Sequence, residues 1–439
     1  MRSGIAAVLL AIVFAPAAAP AQSHPPQKSS TRGMPPSASK LISVQVKGAS
    51  RYKQEQIVAA AGLEPGQTVS EDDFKRAVQR LGNTGVFTEV AYSFQFSNEG
   101  TKLELQVSEN GELVPVRFDN LVWFSDQQLL EKLQAREPLF QGQLPLSGNL
   151  TDQISLALQG FLDERNIQAK VDYLRTGRPG SPLDAIVFSV SGVRISIRNW
   201  DFPGASPAEL PLLQLAAKKL GDQDYLRSRL RVQEDKNFLP VYLARGYLKA
   251  SFGEAQAKVV EDAGQEAIVD VSFPVEPGRQ YSVSEVHWAG NSLFPAEKLQ
   301  PLLHLQAGQP VNAVQLGDDL EAAKRLYGTR GYLAVAIVPQ PAFNDQVSAV
   351  SYQLQVREGD LFRMGEFEVR GLDTRMAARL VDLWKLHEGD PFDDSYSKTF
   401  IEDAAKNLSL AGEWMIIPNQ AVNESDKTVD LTLRFEEKK

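Results

Sequence analysis

The stretch Ile42-Ser43-Val44-Gln45-Val46-Lys47-Gly48 alternates apolar and polar residues and ends at a glycine. Such alternation predicts a half-buried β-strand that stops at a turn. A second glycine follows eighteen residues later, in Gly66-Gln67, and the same spacing separates Gly290 from Gly308 and Gly371 from Gly389. We expect all six glycines to form turns. A recurring spacing of this kind predicts an array of similar modules rather than one large core.

The first module shows a strand, two helices and two further strands in its sequence. Residues 52–61 have helical character and end at Gly62, a typical C-cap residue. Ser70 is a typical N-cap residue, and the three acidic residues after it favour the start of a second helix. Two alternating stretches, 90–96 and 103–107, then predict strands. The order of elements is therefore β-α-α-β-β.

The same order extends over the rest of the chain. Each later segment begins with two apolar residues two positions apart before a turn residue, and it ends in a strand of alternating apolar residues. We therefore predict an α+β fold, a tandem array of five modules that are each a three-stranded mixed sheet covered by two helices. The predicted modules span 41–110, 111–192, 193–278, 279–359 and 360–439.

Two of the predicted modules depart from the pattern. In the second, Asn120 replaces the turn glycine, and we expect it to adopt the left-handed backbone geometry that asparagine also visits. In the third, the alternation at Val193, Ile195 and Ile197 changes phase before Trp200, which predicts a β-bulge or a restarted strand. The helical region of this module, 207–246, is also less regular.

The N-terminus has the pattern of an export signal. Residues 1–21 place Arg2 before an apolar run and end at Ala19-Pro20-Ala21, an A-x-A cleavage site. The alternative is a buried N-terminal helix, which Pro16 and Pro20 disfavour. Residues 22–40 are rich in proline and serine and contain no acidic residue, so they predict a disordered linker. We expect the chain to be exported.

Composition excludes several classes of site. The chain has 439 residues, no cysteine and a formal net charge of −9, which excludes disulfides and thiolate metal sites and argues against nucleic acid as a partner. No nucleophile elbow, phosphate-binding glycine loop or zinc-protease motif is present, and the histidines lack metal-ligand spacing. The histidines are His24, His287, His304 and His387. We expect no catalytic residue, metal, cofactor or small-molecule substrate, and so no enzyme.

The predicted module resembles the POTRA domain. The residues that carry the resemblance are Val44-Gln45-Val46-Lys47-Gly48, Leu63-Glu64-Pro65-Gly66-Gln67, Leu81 with Gly85-Val86-Phe87, Gly331-Tyr332 and Gly246-Tyr247. Five such modules after an export signal resemble the periplasmic part of an outer membrane protein assembly factor of the BamA/TamA type. The resemblance covers about residues 41–439. It implies a periplasmic protein that associates with the outer membrane through a partner.

One feature differs from that family. Its members carry a membrane β-barrel after the modules, and this sequence has no residues left to form one, since it ends in Phe435-Glu436-Glu437-Lys438-Lys439. Two explanations stay open. The array stands alone, which the charged ending favours, or the barrel is missing from this sequence.

The resemblance implies that the second strand of each module is an exposed edge, to which an extended peptide can add as a further strand. Prolines interrupt the corresponding strands of the fourth and fifth modules, so we expect the first and third to bind better. The predicted partner-binding residues are Val90, Tyr92, Phe94, Phe96, Tyr247, Ala250 and Phe252. The alternative is that these aromatic side chains pack beneath the helices.

Two functions are compatible with these features. In the first, a non-enzymatic array binds unfolded outer-membrane clients, a membrane β-barrel or an assembly-complex partner by strand addition. In the second, the array is a structural scaffold that docks an envelope complex and has no affinity for peptides. Neither function involves nucleic acid or a small-molecule substrate.

Overall fold

The computed structural model describes residues 39–97, 99–177, 180–407 and 414–437. The predicted export signal, 1–21, and residues 22–38 of the predicted linker lie outside the described residues. The chain forms two compact units. Of the described residues, the first unit contains those up to Leu113 together with Glu137–Phe140 and Pro145–Leu150, and the second contains the others.

The first unit has the predicted order of elements. These are β1 (Leu41–Lys47), α1 (Gln54–Ala61), α2 (Glu71–Asn83), β2 (Phe87–Ser97) and β3 (Gly100–Glu109). Strand β3 lies in the centre of the sheet, parallel to β1 and antiparallel to β2. A parallel pair needs a long crossover connection, and α1 and α2 provide it. Phe74, Leu81 and Leu105 are fully buried between helices and sheet.

The remaining sheets are built from elements of the following bounds. Between 113 and 191 lie β4 (Leu113–Phe118), α3 (Asp126–Arg136), β5 (Gln143–Pro145), α4 (Leu150–Asp163), β6 (Lys170–Gly177) and β7 (Leu183–Ser191). Between 194 and 276 lie β8 (Arg194–Asp201), α5 (Leu210–Lys219), α6 (Arg227–Gln233), α7 (Leu239–Leu243), β9 (Ser251–Phe252), β10 (Gln256–Asp262), β11 (Glu266–Ser272) and β12 (Val275–Glu276). The next segment contains β13 (Ser282–Ala289), α8 (Ala296–Leu299), α9 (Ala313–Gly328), β14 (Ala336–Asn344) and β15 (Ala349–Arg357). The last contains β16 (Arg363–Arg370), α10 (Thr374–Leu383), α11 (Asp394–Asn407), β17 (Trp414–Asn423) and β18 (Thr428–Glu437).

The strand order of the first sheet recurs in the later ones. The orders are β8-β11-β10, β13-β15-β14 and β16-β18-β17, and β5 adds a fourth strand beside β4 in the sheet β5-β4-β7-β6. In each sheet one strand pair is parallel and another antiparallel. The predicted α+β fold with mixed sheets is confirmed. The predicted domain boundaries stay predictions.

The first glycine of each eighteen-residue pair is required by a close approach of two backbone segments. The φ angles of Gly48, Gly290 and Gly371 are +87°, +79° and +83°, which disfavour any side chain. A Cβ atom at each would also overlap a carbonyl oxygen of the central strand. These oxygens belong to Val107, Val356 and Phe435.

The second glycine of each pair lets a loop return to the start of the first strand. Gly66, Gly308 and Gly389 have φ angles of +96°, +79° and +88°, but a Cβ atom at these positions would meet no other atom within 4 Å. Their amides donate to the first strand: Gly66 to Leu41 (2.7 Å), Gly308 to Val283 (2.8 Å) and Gly389 to Met364 (2.8 Å). The eighteen-residue spacing is therefore the length of chain that leaves the end of the first strand, forms a helix and returns to the start of the same strand.

The side chain of Asn120 contacts Val190, the central-strand residue at the position that approaches the turn glycine in the other sheets. Its backbone φ is not positive, so the expected left-handed geometry is wrong. Instead, its side-chain amide donates to the carbonyl of Val190 (3.1 Å) and accepts from the amide of Val190 (2.7 Å). Because the amide group satisfies both backbone atoms, the turn does not need glycine here.

The irregularity predicted for the third segment is confirmed. The register of β8 against β11 shifts at Arg198, as expected for a bulge. Similar shifts occur in β1, β13 and β16, so the bulge is shared by these first strands. The helical region consists of short helices around a π-helical turn, Glu234–Phe238. Phe238 of this turn is fully buried, and its ring centroid lies 5.5 Å from that of Phe202.

One buried carboxylate in the first half of α9 holds this helix to the loop before it. Asp319 of α9 is 2% exposed and accepts hydrogen bonds from the His304 amide (2.7 Å), His304 Nδ1 (2.7 Å) and Gln315 Nε2 (2.9 Å). Burial alone would raise the pKa of Asp319, but these hydrogen bonds together outweigh it and hold the pKa below its usual value. The ionised form therefore contributes to stability.

We expect Gly290→Ala to destabilise its segment more than Gly308→Ala does. Both alanines carry the strain of a positive φ, about 1–2 kcal/mol, but only Gly290→Ala adds the overlap with Val356, at about 1–3 kcal/mol more. Amide hydrogen exchange of peptides from 281–359 in the full chain measures the difference. Equal effects of the two substitutions would contradict this account.

We expect Asp319→Asn to lower the free energy of opening of the same segment by about 1–3 kcal/mol at pH 7. A carboxylate with a lowered folded-state pKa stabilises above its unfolded pKa of about 4 and loses that effect as the pH falls through the folded value. The difference between variant and natural chain should therefore shrink below pH ~4. Asp318→Asn, at the exposed neighbouring position, is the control. A difference that is independent of pH would refute the assignment.

Candidate interaction surface

In each mixed sheet, the strand that precedes the central strand in sequence lies at an edge. These strands are β2, β6, β10, β14 and β17, and each pairs with a single neighbour in the described part of the chain. An edge strand presents backbone N–H and C=O groups on its outer side, and another extended chain can pair with them. The edges differ in how open they are.

Prolines protect the edges β14 and β17. Pro339 pairs with Leu354, and Pro418 pairs with Leu433. Leu354 and Leu433 each lie two residues before the residue whose carbonyl approaches the turn glycine, which is Val356 or Phe435. The two prolines therefore occupy equivalent positions. A further proline, Pro341, pairs with Tyr352. Since proline lacks an N–H group, an added strand would be interrupted there.

Strands β2, β6 and β10 contain no proline. Strand β2 runs to Ser97 with a single register shift, between Phe87 and Glu89. Strand β10 is shorter and has a register shift between Val259 and Glu261, which places a bulge at Val260. A bulge at an edge limits the length over which another strand can pair.

The predicted residues of β2 mostly face the helices. The rings of Tyr92 and Phe94 are half-buried, and their centroids lie 6.1 and 5.3 Å from that of Phe74 in α2. Val90 is also half-buried, whereas Phe96 is 54% exposed. Packing beneath the helices therefore accounts for Tyr92 and Phe94. The outer backbone of β2 and the ring of Phe96 are what this edge presents to a partner.

The predicted residues of the third segment do not lie on its long edge strand β10, and their expected placement is corrected. Tyr247 and Ala250 lie outside the strands, and Tyr247 packs edge-on against Tyr242. Phe252 lies in β9 and pairs with Val275 of β12. Its ring packs 4.7 Å from that of Phe273. The aromatic side chain of Phe252 therefore packs against the core, and the strand is interrupted between β9 and β10.

The strand that does form this edge lies beyond the predicted residues Tyr247, Ala250 and Phe252. Gln256–Asp262 pairs with β11, and the alternation of Ala257 and Val259 with polar neighbours was its only local signal. A cavity of about 740 Å³ lies beside this strand in the second unit. Its opposite wall is formed by the segment 118–127, which follows β4 and enters α3.

The described residues contain no group of three or more histidine, aspartate and glutamate residues placed to hold a metal ion. Their helices include none that is both long and apolar enough to cross a membrane.

Several solved structures are similar to this chain. The POTRA3–5 segment of Haemophilus influenzae BamA is 18% identical to this chain, with a TM-score of 0.42. The alignment covers 56% of this chain and 96% of that structure. The POTRA1–3 segment of Omp85 from Anabaena is 15% identical and covers 57% of this chain and 98% of its own, with a TM-score of 0.27.

Two curated proteins are similar over about 200 residues. A putative outer membrane protein assembly factor of Treponema pallidum is 26% identical over 200 residues, which are 45% of this chain and 23% of that protein. The outer membrane protein assembly factor BamA of Neisseria meningitidis serogroup B is 22% identical over 209 residues, 44% of this chain and 26% of that protein. The match spans about a quarter of the length of these relatives.

A family model matches two segments of the chain. The POTRA family, described as a surface antigen variable number repeat, matches residues 40–110 and 281–359. These segments contain the sheets β1-β3-β2 and β13-β15-β14, with their crossover helices. Residues 40–110 and 281–359 of this chain therefore match the POTRA family, and the chain resembles outer membrane protein assembly factors of the BamA type.

Proposed function

We propose that this chain is a non-enzymatic, periplasmic POTRA array that binds client polypeptides or partner proteins in outer membrane protein assembly. The observation that carries the proposal is the strand that precedes the central strand of each mixed sheet, which lies at an edge and is free of proline in β2, β6 and β10. The similarity to assembly factors supports the setting. The array would reach the periplasm by export and associate with the outer membrane through a partner.

Strand addition gives weak binding that tolerates different sequences. Each backbone hydrogen bond contributes about 1 kcal/mol net. Four or five such bonds, less the cost of ordering the peptide, leave about 3–4 kcal/mol, which corresponds to millimolar affinity or weaker. Several open edges in one chain would raise the overall affinity through avidity. This combination suits transient contact with unfolded chains.

The protected edges favour a second role for part of the array. Pro339, Pro341 and Pro418 remove donors from β14 and β17. The segments with these strands are therefore better suited to hold a folded partner by side-chain contacts than to bind peptides. A scaffold without any peptide affinity is the corresponding alternative for the whole chain.

A photo-crosslinking residue at Ser93 of β2 should capture an unfolded outer-membrane client, whereas one at Gln340 of β14 should not. The two positions are matched, because both are exposed and Ser93 pairs with Glu104 as Gln340 pairs with the equivalent Gln353. Crosslinked product on a denaturing gel measures the difference. Equal capture at both positions would refute strand addition at open edges. No capture at either, with a folded partner co-purifying, would favour the scaffold.

A further inference from the structure

Asn110 directly follows β3 and binds the turn after α2. Its backbone amide donates to the carbonyl of Val86 (2.8 Å), and its side-chain Nδ2 donates to the carbonyl of Gly85 (2.9 Å). Its Oδ1 accepts from the amide of Glu112 (2.9 Å). The half-buried side chain of Asn110 is therefore held by both of its polar atoms.

The carbonyl of Gly85 is satisfied in a way that differs from its equivalents. Gly246 and Gly331 also follow the last helix of their segments, and all three glycines have positive φ angles, of +78°, +86° and +83°. The carbonyls of the two later glycines accept from backbone amides, those of Tyr281 and Phe362, both at 2.8 Å. A side-chain amide can be lost by hydrolysis, whereas a backbone amide at such a position stays. The first unit is therefore chemically more vulnerable at this contact.

The residue after Asn110 is a glycine that the backbone does not require. The φ angle of Gly111 is not positive, and a Cβ atom there would meet no other atom within 4 Å. Asn110-Gly111 is the one Asn-Gly pair in the sequence. Such pairs lose the side-chain amide most readily, because a following residue without a side chain lets its nitrogen approach the Cγ atom of the asparagine.

The reaction needs no reagent other than water. The nitrogen of Gly111 attacks Cγ of Asn110 and forms a C–N bond, and the bond from Cγ to Nδ2 breaks. Ammonia leaves with the proton that the attacking nitrogen gives up. Water then opens the cyclic imide at one of its two carbonyl carbons, which yields aspartate or isoaspartate. Both products carry a carboxylate, which cannot donate to Gly85.

The folded chain slows this reaction. Nδ2 is held by Gly85 and Oδ1 by Glu112, so the side chain must leave both partners before Cγ can meet the nitrogen of Gly111. Gly111 is exposed, and local opening of an exposed turn costs less free energy than global unfolding. The rate of the reaction therefore reports how often this contact opens.

We propose that Asn110 is a site of spontaneous deamidation and that the product weakens the contact between the end of β3 and the turn after α2. A carboxylate oxygen in the place of Nδ2 faces the carbonyl oxygen of Gly85, which is left without this donor. The residues next to the weakened contact are Val86, which is fully buried, and Phe87, the first residue of β2. This chemical ageing of the first unit is independent of the proposed function.

The site is tested by incubating the full chain in buffers of increasing pH and following the peptide that contains residue 110 by mass spectrometry. We expect the amide to be converted to the acid, and faster as the pH rises, because the attacking nitrogen must lose its proton. Gly111→Ala should slow the conversion several-fold, since its methyl group hinders the attack but has room in the fold. No conversion in the full chain, or equal conversion in Gly111→Ala, would overturn the proposed site.

The protection by the fold is tested with a free peptide of residues 106–115 under the same conditions. We expect the peptide to convert several-fold faster than the full chain, because it lacks the contacts of Asn110 with Gly85. Equal rates in the peptide and the full chain would refute this protection.

The effect on the fold is tested by amide hydrogen exchange of peptides that contain Gly85-Val86-Phe87 in the full chain. We expect Asn110→Asp to raise exchange there about tenfold, as the loss of one donor to a partly buried acceptor allows. Gln106→Glu, at an exposed position of β3, adds the same charge away from Gly85 and should leave exchange unchanged. The aged natural chain should show the same rise in proportion to its converted fraction, and it remains informative where Asn110→Asp does not fold. Unchanged exchange in the aged chain would overturn the proposed weakening.

Discussion

The parallel pairing of the first strand with the last is the contact on which each sheet depends. The pairs β1 with β3, β13 with β15 and β16 with β18 are all parallel. A parallel pair cannot be closed by a hairpin, so the helices must lie between the two strands in sequence. The backbones approach most closely where the first strand ends, and glycine is required there because a Cβ atom would overlap the carbonyl of the central strand.

The same pairing creates the edge that a partner can use. Because the last strand occupies the centre, the second strand is left with one neighbour. The protection of this exposed backbone differs between the sheets. Strands β14 and β17 contain prolines, whereas β10 has a bulge and faces the segment 118–127. These are recognised ways of limiting unwanted strand pairing. Strand β2 has the longest edge without a proline, so affinity for extended chains should vary from sheet to sheet.

The features that were predictable from sequence are those set by nearby residues or by an exact repeat. Alternating apolar residues located the strands, and the glycine pairs located both ends of the first strand. The geometry of Asn120 was not predictable, because its partner Val190 lies seventy residues away. The local pattern around Phe252 is typical of an edge strand, which is why the sequence predicts one there. Whether such a ring faces a partner or the core depends on Phe238 and Phe273, which come from other elements.

The glycine that follows the last helix of a repeat also joins that repeat to the next one. The carbonyl of Gly246 accepts from the amide of Tyr281, and that of Gly331 accepts from Phe362, both at 2.8 Å. Each acceptor belongs to one repeat, and each donor lies at the start of the next. Positive φ angles of +86° and +83° turn the chain at these glycines. In repeat arrays, stability depends on such nearest-neighbour contacts as well as on each unit. A change in the first strand of one repeat should therefore weaken the repeat before it.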